Sequence, residues 1–455
     1  MIQSKTQRKE VCMTEKVYEV AVIGGGVCGT ALLYMLAEYT DIDDIILIEK
    51  YDALATVNSN GRNNSQTLHC GDIETNYSLE KATKVKNAAA MVVNYTETLE
   101  TRDHVIYKFP KMVIGVGQKE CDQLRERFNS FKTVFTSLQL LEKEQVAEIE
   151  PNVVLINGEM RPEPCIALAV LDEYSAVDFN QLAESFAQQA QTVDDKNIQI
   201  QLDSHVNNIE ERDGVFSIET TQGTIKAKAA VVSAGGHSLL LAQQMGYGLE
   251  FSCLPVAGSF YFTPKVLNGK VYTVQNDKLP FAAVHGDPDV LVPGKTRFGP
   301  TALITPMLER YNRQSFFDFL RVLRLDMRVV KVLWNLFKVS DIRNYIFKNF
   351  LFEVPCLRRW LFLKDVKKVV PSLTLDDVKF APGYGGVRPQ LIDKENKVLM
   401  MGEAKINPGT GILFNMTPSP GASSCLENAE LDMKWVANFL GKNVDQQKVD
   451  AILHN

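Results

Sequence analysis

Hydrophobic side chains are concentrated near the beginning of the chain in a short run that is rich in β-branched residues, Val17–Ile23. A run of this length and composition is typical of a buried parallel strand. The segment Thr30–Glu38 resembles a helix, and a second apolar run follows at Ile45–Ile48. The pattern therefore predicts a strand, a turn, a helix and a second strand, in that order.

The turn after the first predicted strand has the spacing GxGxxG, formed by Gly24, Gly26 and Gly29. The first glycine makes the tight turn, the second lets a pyrophosphate approach the backbone, and the third lets the helix pack closely on the strand. The helix N-terminus favours the negative charge of phosphate. Glu49, which ends the second strand, can accept hydrogen bonds from a ribose 2′-hydroxyl. These residues predict a dinucleotide site and disfavour a 2′-phosphate, but they do not separate NAD from FAD.

A second glycine-rich strand end occurs in the middle of the chain. Strand-like runs at 197–205 and 215–220 precede an apolar stretch, 229–233, which runs into Ala234 and Gly235 where a helix begins. A strand end of this kind usually lies beside the first strand of the same sheet. An ordinary strand-to-helix turn is the alternative, because glycine is common in such turns.

Two stretches near the C-terminus also suit contact with a ligand. Residues 384–390 read YGGVRPQ, in which flanking glycines and a proline surround Arg388. Residues 407–424 are rich in Gly, Pro, Ser and Thr, and a helix is predicted after them at 425–440. Small residues before a helix allow a ligand to contact the backbone.

The segment 58–77 is polar and has almost no helix or strand periodicity. It contains Arg62, His69 and Asp72, separated by small residues that form hydrogen bonds. We call this segment the polar loop. Its composition alone fits either a solvated surface loop or a loop that surrounds a ligand.

Composition and charge narrow the class of protein. The chain has 455 residues, which predicts two domains or one interleaved pair, and its net charge of −6 argues against bulk binding of nucleic acid. The eight cysteines are scattered without a CxxC pair, and no HExxH motif occurs. We therefore expect a reducing compartment, no disulfide framework and no metal. Residues 1–16 are predicted to be a disordered lead, in which Met1 or Met13 is the start, and no run is long enough to span a membrane.

Residues 310–368 differ from the rest of the chain because they are both basic and aromatic. They contain fourteen Lys and Arg residues against five Asp and Glu residues, and twelve Phe, Tyr and Trp residues. Apolar residues recur at helical spacing, as at Val330, Leu333, Trp334 and Phe337, with basic residues between them. The pattern predicts amphipathic helices that bind an anionic membrane surface. A helical lid on a substrate domain is the alternative.

Four separated features resemble the D-amino-acid-oxidase-like flavoproteins. They are the GxGxxG turn with Glu49, the polar loop, the strand end VVSAGGHS and the stretch GVRPQ with its glycine-rich sequel. Within that group the chain resembles the malate:quinone oxidoreductase family, because NGRNNSQTLHCGDIETNY and TPSPGASS are similar to segments of that family. The related L-2-hydroxyglutarate dehydrogenases share features of VHGDPDVLVPGKTRFGPTA. The resemblance covers residues 17 to 440.

One departure bears on the substrate. The malate enzymes carry His-Leu-Asp-Thr-Arg where this chain has His-Gly-Asp-Pro, residues 285–288. The family resemblance implies oxidation of (S)-malate to oxaloacetate with electrons passed to membrane quinone. L-2-hydroxyglutarate, lactate or an amino acid are alternative substrates, and a flavin-binding membrane protein without turnover is the alternative from another class.

The resemblance also implies roles for individual residues. His285 is the predicted base, with Asp287 to orient it, and Arg388 is the predicted anchor of a substrate carboxylate. Arg62 and Arg297 are weaker candidates for a second carboxylate. The residues predicted to contact FAD are Gly24, Gly26, Gly29, Glu49, Asn63, Asn64, Ser65, Gln66, Val206, Ala234, Gly235, Gly402, Gly409, Gly411 and Ile412.

In the resembled fold the polar loop runs along the flavin, so we predict that its small side chains and amides bind FAD. Some relatives attach FAD to a histidine after this loop, and His69 stands near that place. The residues around His69 do not match that subgroup well, so non-covalent FAD is favoured.

The predicted fold is α/β plus α+β. A Rossmann-like FAD-binding domain is assembled from 17–105, 165–250 and 375–445, and a mixed-sheet substrate domain from 106–164 and 251–374, with 310–368 as its basic helical insert. The predicted location is cytoplasmic, peripherally on the inner face of the cell membrane. The sequence does not predict the oligomeric state.

Overall fold

A computed structural model describes residues 16–275, 284–400, 404–417 and 420–455. In this part of the chain the strands are, in order, β1 Val17–Ile23, β2 Asp44–Ile48, β3 Ile106–Lys108, β4 Lys111–Val116, β5 Gln139–Glu142, β6 Leu155–Ile156, β7 Glu159–Met160, β8 Cys165–Val170, β9 Tyr174–Val177, β10 Asn197–Gln201, β11 Val206–Arg212, β12 Val215–Thr220, β13 Gly223–Val232, β14 Phe251–Ala257, β15 Tyr261–Pro264, β16 Lys270–Thr273, β17 His285–Pro288, β18 Lys295–Gly299, β19 Leu303–Ile304, β20 Lys379–Phe380, β21 Val387–Asp393, β22 Val398–Leu399, β23 Ala404–Ile406 and β24 Ile412–Met416.

The helices of the same residues are α1 Val27–Tyr39, α2 Leu79–Glu97, α3 Arg102–Val105, α4 Gln118–Phe131, α5 Lys143–Ile149, α6 Pro151–Val154, α7 Phe179–Gln191, α8 Gly236–Gln244, α9 Ser315–Leu323, α10 Met327–Lys338, α11 Ser340–Leu351, α12 Arg358–Val369, α13 Cys425–Leu440 and α14 Gln446–Leu453. Among them, none combines the length and the apolar character that crossing a bilayer requires.

The first sheet is organised around β1 and β13. Strands β10, β2, β1, β13 and β24 run parallel to their neighbours, while β11, β12 and β13 form an antiparallel meander. The carboxyl ends of β1, β2 and β13 therefore meet at one edge, where a ligand of an open α/β sheet binds.

The alternation of side chains along β1 explains why this strand is apolar throughout. Val20 and Val22 pack with helices α1, α7 and α13 on one face of the sheet. Ala21 and Ile23 pack with α8 and the meander on the other face. A strand with helices or strands over both faces must bury both sets of its side chains.

Two further sheets complete the fold. The larger has the order β20, β15, β18, β17, β16, β4, β8, β5, and the smaller has the order β19, β14, β21, β22. The larger sheet packs against α12 and the smaller against α10. The smaller sheet is antiparallel throughout, and the larger is mixed, because β16 and β4 run parallel in it. The fold is thus α/β plus α+β, as predicted.

The strand pairing corrects two of the predicted boundaries. Cys165–Val170 was assigned to the FAD-binding domain, but it pairs with β4 and β5 in the larger mixed sheet. Lys379–Phe380 and Val387–Asp393 were assigned to the same domain, but the first belongs to the larger, mixed sheet and the second to the smaller, antiparallel sheet. An apolar strand has the same composition in either sheet, so its composition does not indicate which sheet it joins.

The helix α12 shows that part of the basic segment is integral to the core. Phe362 is fully buried and stacks on Tyr261, with 3.9 Å between the ring centroids. On the same helix Trp360 is 51% exposed.

We expect Phe362→Ala to lower the free energy of unfolding by about 3–5 kcal/mol, because it leaves a cavity beside Tyr261. The matched control Trp360→Ala, on the exposed face of the same helix, should cost less than about 1 kcal/mol. Thermal and denaturant unfolding of the two variants would measure this. Equal losses of stability in both would show that α12 does not pack as described.

Candidate functional site

The glycine turn forms a cradle at the carboxyl edge of the first sheet. Gly24 has φ of +112°, and a Cβ there would lie 2.5 Å from the carbonyl oxygen of Ser233 at the end of β13. A Cβ on Gly29 would lie 1.9 Å from the carbonyl oxygen of Gly24, so Gly29 is needed for α1 to pack against the turn. A Cβ on Gly26 meets only Ser59 Oγ, at 3.2 Å, and Gly26 lines the cleft. The three glycines therefore have different roles, as the spacing predicts.

Glu49 is fixed beside this turn. Its carboxylate accepts hydrogen bonds from the backbone N–H of Gly25 at 2.6 Å and of Tyr51 at 3.0 Å. Burial raises the pKa of Glu49, although these two hydrogen bonds oppose the rise. Glu49 lines the cleft, where a ribose hydroxyl can donate to it.

The cleft next to the turn has a volume of about 300 Å³. Six of the residues that the sequence predicts to contact FAD line this cleft, namely Gly24, Gly26, Glu49, Val206, Ala234 and Gly235. Asp318 and Arg321 of α9 also line it, and His237 Nε2 lies 3.4 Å from Asp318 Oδ2. The glycine cradle, the helix N-terminus and the buried acid fit a dinucleotide such as FAD.

The C-terminal glycines lie elsewhere. Because β24 is parallel to β13 and Ile412 pairs with Ala230, Ile412 and the preceding Gly409 and Gly411 come before the end of β24 that reaches the glycine turn. Thr417, just after the end of β24, lines the cleft, whereas these three residues do not. Their contact with the cofactor stays a prediction. Gly402 lies outside the described residues.

The polar loop is attached to the strand that carries Arg388. The side-chain amide of Asn58 donates to the carbonyl oxygen of Val387 at 3.0 Å and accepts from its N–H at 3.2 Å. The N–H of Gly385 donates to the carbonyl oxygen of Arg62 at 3.0 Å. A Cβ on Gly386 would lie 2.6 Å from the carbonyl oxygen of Asn63, so only glycine allows this approach.

A second, smaller cavity of about 150 Å³ lies between the polar loop and β21. The described residues that line it include, from the loop, Asn58, Asn63, Asn64, Ser65, Thr67 and His69. The smaller sheet contributes Val256 and Arg388, and the segments next to strands contribute Phe260 and Ala302. Asn58, Pro389, Thr417 and Ala422 line both this cavity and the larger cleft, so the two are contiguous. Gln66 is buried behind the wall, where its side chain accepts from the N–H of Val290.

Arg388 is the cation of this cavity. Burial lowers the pKa of its guanidinium, and the phenols of Tyr77, Tyr272 and Tyr345 lie close enough to oppose that shift. No Asp or Glu of the described residues forms an ion pair with Arg388. Arg388 is partly buried in this wall, and a guanidinium without a carboxylate partner has unsatisfied capacity for an anionic ligand.

His69 lines the same cavity, and a carboxylate orients its ring. Its Nδ1 lies 2.7 Å from Glu74 Oε1, and its backbone N–H donates to Ser423 Oγ. Burial by itself would raise the pKa of Glu74, but the hydrogen bond and charge of His69 and the charge of Lys111 hold it below its usual value. An ionised carboxylate only accepts hydrogen bonds, so Nδ1 carries a proton. In the neutral form of the ring, Nε2 is then the acceptor atom.

His285 is close to the cavity but does not belong to its described wall. It is 2% exposed and stacks on Tyr272, with 4.2 Å between the ring centroids. Its Nε2 lies 3.2 Å from Asp287 Oδ2, and Lys270 Nζ lies 3.2 Å from Asp287 Oδ1. Burial opposes ionisation, yet the charges of Lys270 and His285 lower the pKa of Asp287 to about 2. The neighbouring residues 276–283 lie outside the described part of the chain.

The other two predicted arginines do not line the cavity. Arg297 is fully buried, lies 3.2 Å from Asp289 Oδ2, and donates to the carbonyl oxygen of Gly61 at 2.8 Å. Arg297 thus helps to hold the polar loop in position. The side chain of Arg62, on the loop itself, is exposed.

Three features of the site could not be assigned from the sequence. Glu74 was not recognised as the partner of His69, although it stands only five residues further along the polar loop. The Thr67 hydroxyl lies 2.8 Å from Tyr272 Oη, and Tyr345 of α11 lies near Arg388. Both contacts join residues that are far apart in the sequence.

Comparison with known proteins identifies relatives of the whole chain. The family model of malate:quinone oxidoreductase matches residues 16–453. A probable malate:quinone oxidoreductase of Campylobacter jejuni is 49% identical over 97% of this chain and 100% of its own length. A malate:quinone oxidoreductase of Helicobacter pylori is 44% identical over 95% of this chain and 96% of its own. A mitochondrial L-2-hydroxyglutarate dehydrogenase of Nematostella vectensis is 26% identical over 91% and 89%.

Solved structures share the fold. L-α-glycerophosphate oxidase from Mycoplasma pneumoniae, whose structure contains FAD, is 20% identical, covers 94% of this chain and 96% of its own, and superposes with a TM-score of 0.62. At this identity the similarity concerns the fold alone, and it agrees with the predicted flavoprotein architecture.

Proposed function

The chain belongs to the malate:quinone oxidoreductase family, and on that premise we propose which of its residues bind and deprotonate the substrate. The enzyme is an FAD-dependent oxidoreductase that oxidises (S)-malate to oxaloacetate and passes the electrons to a quinone. One observation carries the assignment of residues. The cavity beside the dinucleotide cleft contains Arg388 without a described carboxylate partner, and His69 held by Glu74.

Arg388 binds one carboxylate of malate. Its planar guanidinium can donate two parallel hydrogen bonds to a carboxylate, which fixes the orientation of the substrate as well as its position. The negative charge of malate also compensates the positive charge of Arg388, with which no Asp or Glu of the described residues forms an ion pair.

The second carboxylate is bound by neutral donors. Arg388 is the single Lys or Arg among the described residues that line the cavity. The donors available on the polar loop are the hydroxyl of Ser65 and the second N–H of the Asn58 and Asn63 amides, whose first N–H donates to a backbone carbonyl. The amide of Asn64 already donates to the carbonyl oxygens of Asn58 and Asn60. Arg62 and Arg297 are left with other roles, since neither lines the cavity.

His69 accepts the proton of the malate hydroxyl. Bound FAD would supply the acceptor for the hydride from C2 of malate. The proton and the hydride together account for the two electrons and two hydrogens that malate loses. The hydroxyl proton goes to Nε2 of His69, and the positive charge formed on the ring lies beside the Glu74 carboxylate at 2.7 Å. His285, the base predicted from the sequence, is the rival for this role.

We propose that FAD is bound without a covalent bond. His69 is already engaged with Glu74 and Ser423 in the cavity wall, and its ring nitrogen is needed as a base. We also propose that the enzyme works on the cytoplasmic face of the cell membrane, where it can meet a quinone dissolved in the bilayer.

Replacement of Arg388 by lysine should raise the KM for malate roughly 5- to 100-fold, because an ammonium cannot form the paired hydrogen bonds that a guanidinium forms. Steady-state kinetics with a water-soluble electron acceptor would measure this. The matched control is Arg62→Lys, an exposed arginine of the polar loop, which should leave KM unchanged. An unaltered KM in Arg388→Lys would remove the residue from substrate binding.

His69→Gln should lower kcat about 10²- to 10⁴-fold with FAD still bound, since glutamine cannot accept the proton. His285→Gln is the comparison variant, and it should lose stability but keep kcat within a few-fold. Turnover and FAD content would be measured on both proteins. The reverse pattern, with the large loss of kcat in His285→Gln, would restore His285 as the base.

Acid precipitation of the purified enzyme should release its yellow colour into the supernatant, because non-covalent FAD dissociates when the protein unfolds. The absorbance of supernatant and pellet near the flavin maximum gives the result. Colour that stays with the pellet in the wild type and moves to the supernatant in His69→Gln would show a covalent bond to His69.

A further inference from the structure

Helix α10 of the basic segment has two apolar faces. Val329 and Val332 are buried and pack with Leu254 and Ile392 of the smaller, antiparallel sheet. A second stripe points away from the core and is exposed, formed at spacings of three and four residues by Met327, Val330, Trp334 and Phe337. Met327 is 79% exposed and Trp334 59%. An amphipathic helix of a globular protein needs only the first face, so the second has another function.

The exposed stripe continues onto the neighbouring helices. Phe337 of α10 and Phe347 of α11 are in edge contact, with 5.9 Å between their ring centroids. Phe350 of α11 and Phe317 of α9 are 60% and 63% exposed. We call the residues Phe317, Met327, Val330, Trp334, Phe337, Phe347 and Phe350 the docking face.

Basic residues border this face. Arg328, Lys331 and Lys338 each directly follow a residue of the α10 stripe, and all three are exposed. Consecutive helix residues differ in direction by about 100°, so these cations lie along one side of the apolar stripe. This arrangement places aromatic side chains at the depth of acyl chains and cations at the depth of headgroups.

We propose that the docking face binds the surface of a lipid bilayer that contains anionic lipids. The charge favours this occupant, since residues 310–368 are strongly basic in a chain whose net charge is −6. A second copy of the chain fits less well, because a two-fold interface brings the same patch of both copies together and would oppose like charges. The proposal rests on the proposed function, because a quinone is reached through the bilayer.

The docking face is connected to the catalytic cavity through α11. The side chain of Asn349, on the buried side of that helix, accepts a hydrogen bond at 2.7 Å from the N–H of Ala302, which lines the cavity. Tyr345 of the same helix lies near Arg388. One helix therefore contacts the bilayer with its outer face and the substrate cavity with its inner face.

The test is cosedimentation of the FAD-loaded enzyme with vesicles. Wild type should bind vesicles of phosphatidylglycerol and phosphatidylcholine at low salt at least tenfold more tightly than vesicles of phosphatidylcholine alone. The variant Arg328→Glu/Lys331→Glu/Lys338→Glu should bind anionic vesicles on the order of a hundredfold more weakly, because each cation adds roughly fivefold to binding. The variant Phe317→Ser/Met327→Ser/Trp334→Ser should lose at least tenfold.

Matched controls change equal numbers of residues outside α9–α11. Lys84→Glu/Lys119→Glu/Lys132→Glu reverses three exposed lysines, and Met160→Ser/Leu249→Ser/Leu431→Ser replaces three exposed apolar residues. Both should bind vesicles like wild type. All four variants should oxidise malate with a water-soluble acceptor at the wild-type rate, while the two docking-face variants should reduce quinone embedded in vesicles more slowly.

Vesicle binding by the docking-face variants that equals wild type, or equal binding of wild type to neutral and anionic vesicles, would overturn the proposal. A second outcome would also overturn it. If wild type is a dimer in solution, and the docking-face variants are monomers that bind vesicles as well as wild type does, then a second copy of the chain occupies the face. A failure of the proposed function would look different from a failure of the docking face. Wild type would then not oxidise malate even with the soluble acceptor, whatever its binding to vesicles.

Discussion

The attachment of the polar loop to β21 is the contact on which the site depends. The loop follows β2 of the first sheet, which holds the dinucleotide cleft, whereas β21 belongs to the smaller, antiparallel sheet. The paired hydrogen bonds of Asn58 with Val387, and the close approach of Gly386 to the Asn63 carbonyl, fix one against the other. Because Arg388 follows Val387 directly, the same contact sets the position of the substrate cation relative to His69 and the cofactor.

Buried charges are stable near this contact because each has a partner. Asp287 is held by Lys270 and His285, Arg297 by Asp289, and Asp72 by Lys111 at 2.6 Å. Removing one member of such a pair leaves an uncompensated charge and is strongly destabilising. Arg388 differs, since no acid of the described residues faces it. The fold therefore contains paired charges that hold the loop and one cation available to an anionic substrate, which separates structural from binding residues.

Local signals in the sequence predicted local structure well. The strand Val17–Ile23 and the helix Cys425–Leu440 occur as predicted, because periodicity and glycine spacing are properties of neighbouring residues. The cavity wall depends on contacts between distant segments, such as Thr67 with Tyr272, which are 205 residues apart. Glycine content likewise does not tell which end of a strand faces the ligand, as at Gly409, Gly411 and Ile412 before β24. The sequence similarly places His69 and His285 in one site without telling which lines the cavity.

The amphipathic helices are best understood as part of the catalytic architecture. A lid over the substrate would bury its aromatic residues when closed and would not need a stripe of them opposite its packing face. Here α10 already packs on the smaller, antiparallel sheet through Val329 and Val332, so its outer stripe is not required for folding. Helix α11 holds Ala302 of the cavity wall through Asn349. An enzyme whose oxidant lies in the bilayer gains from this arrangement, because the elements that shape the substrate cavity also bring it to the membrane surface.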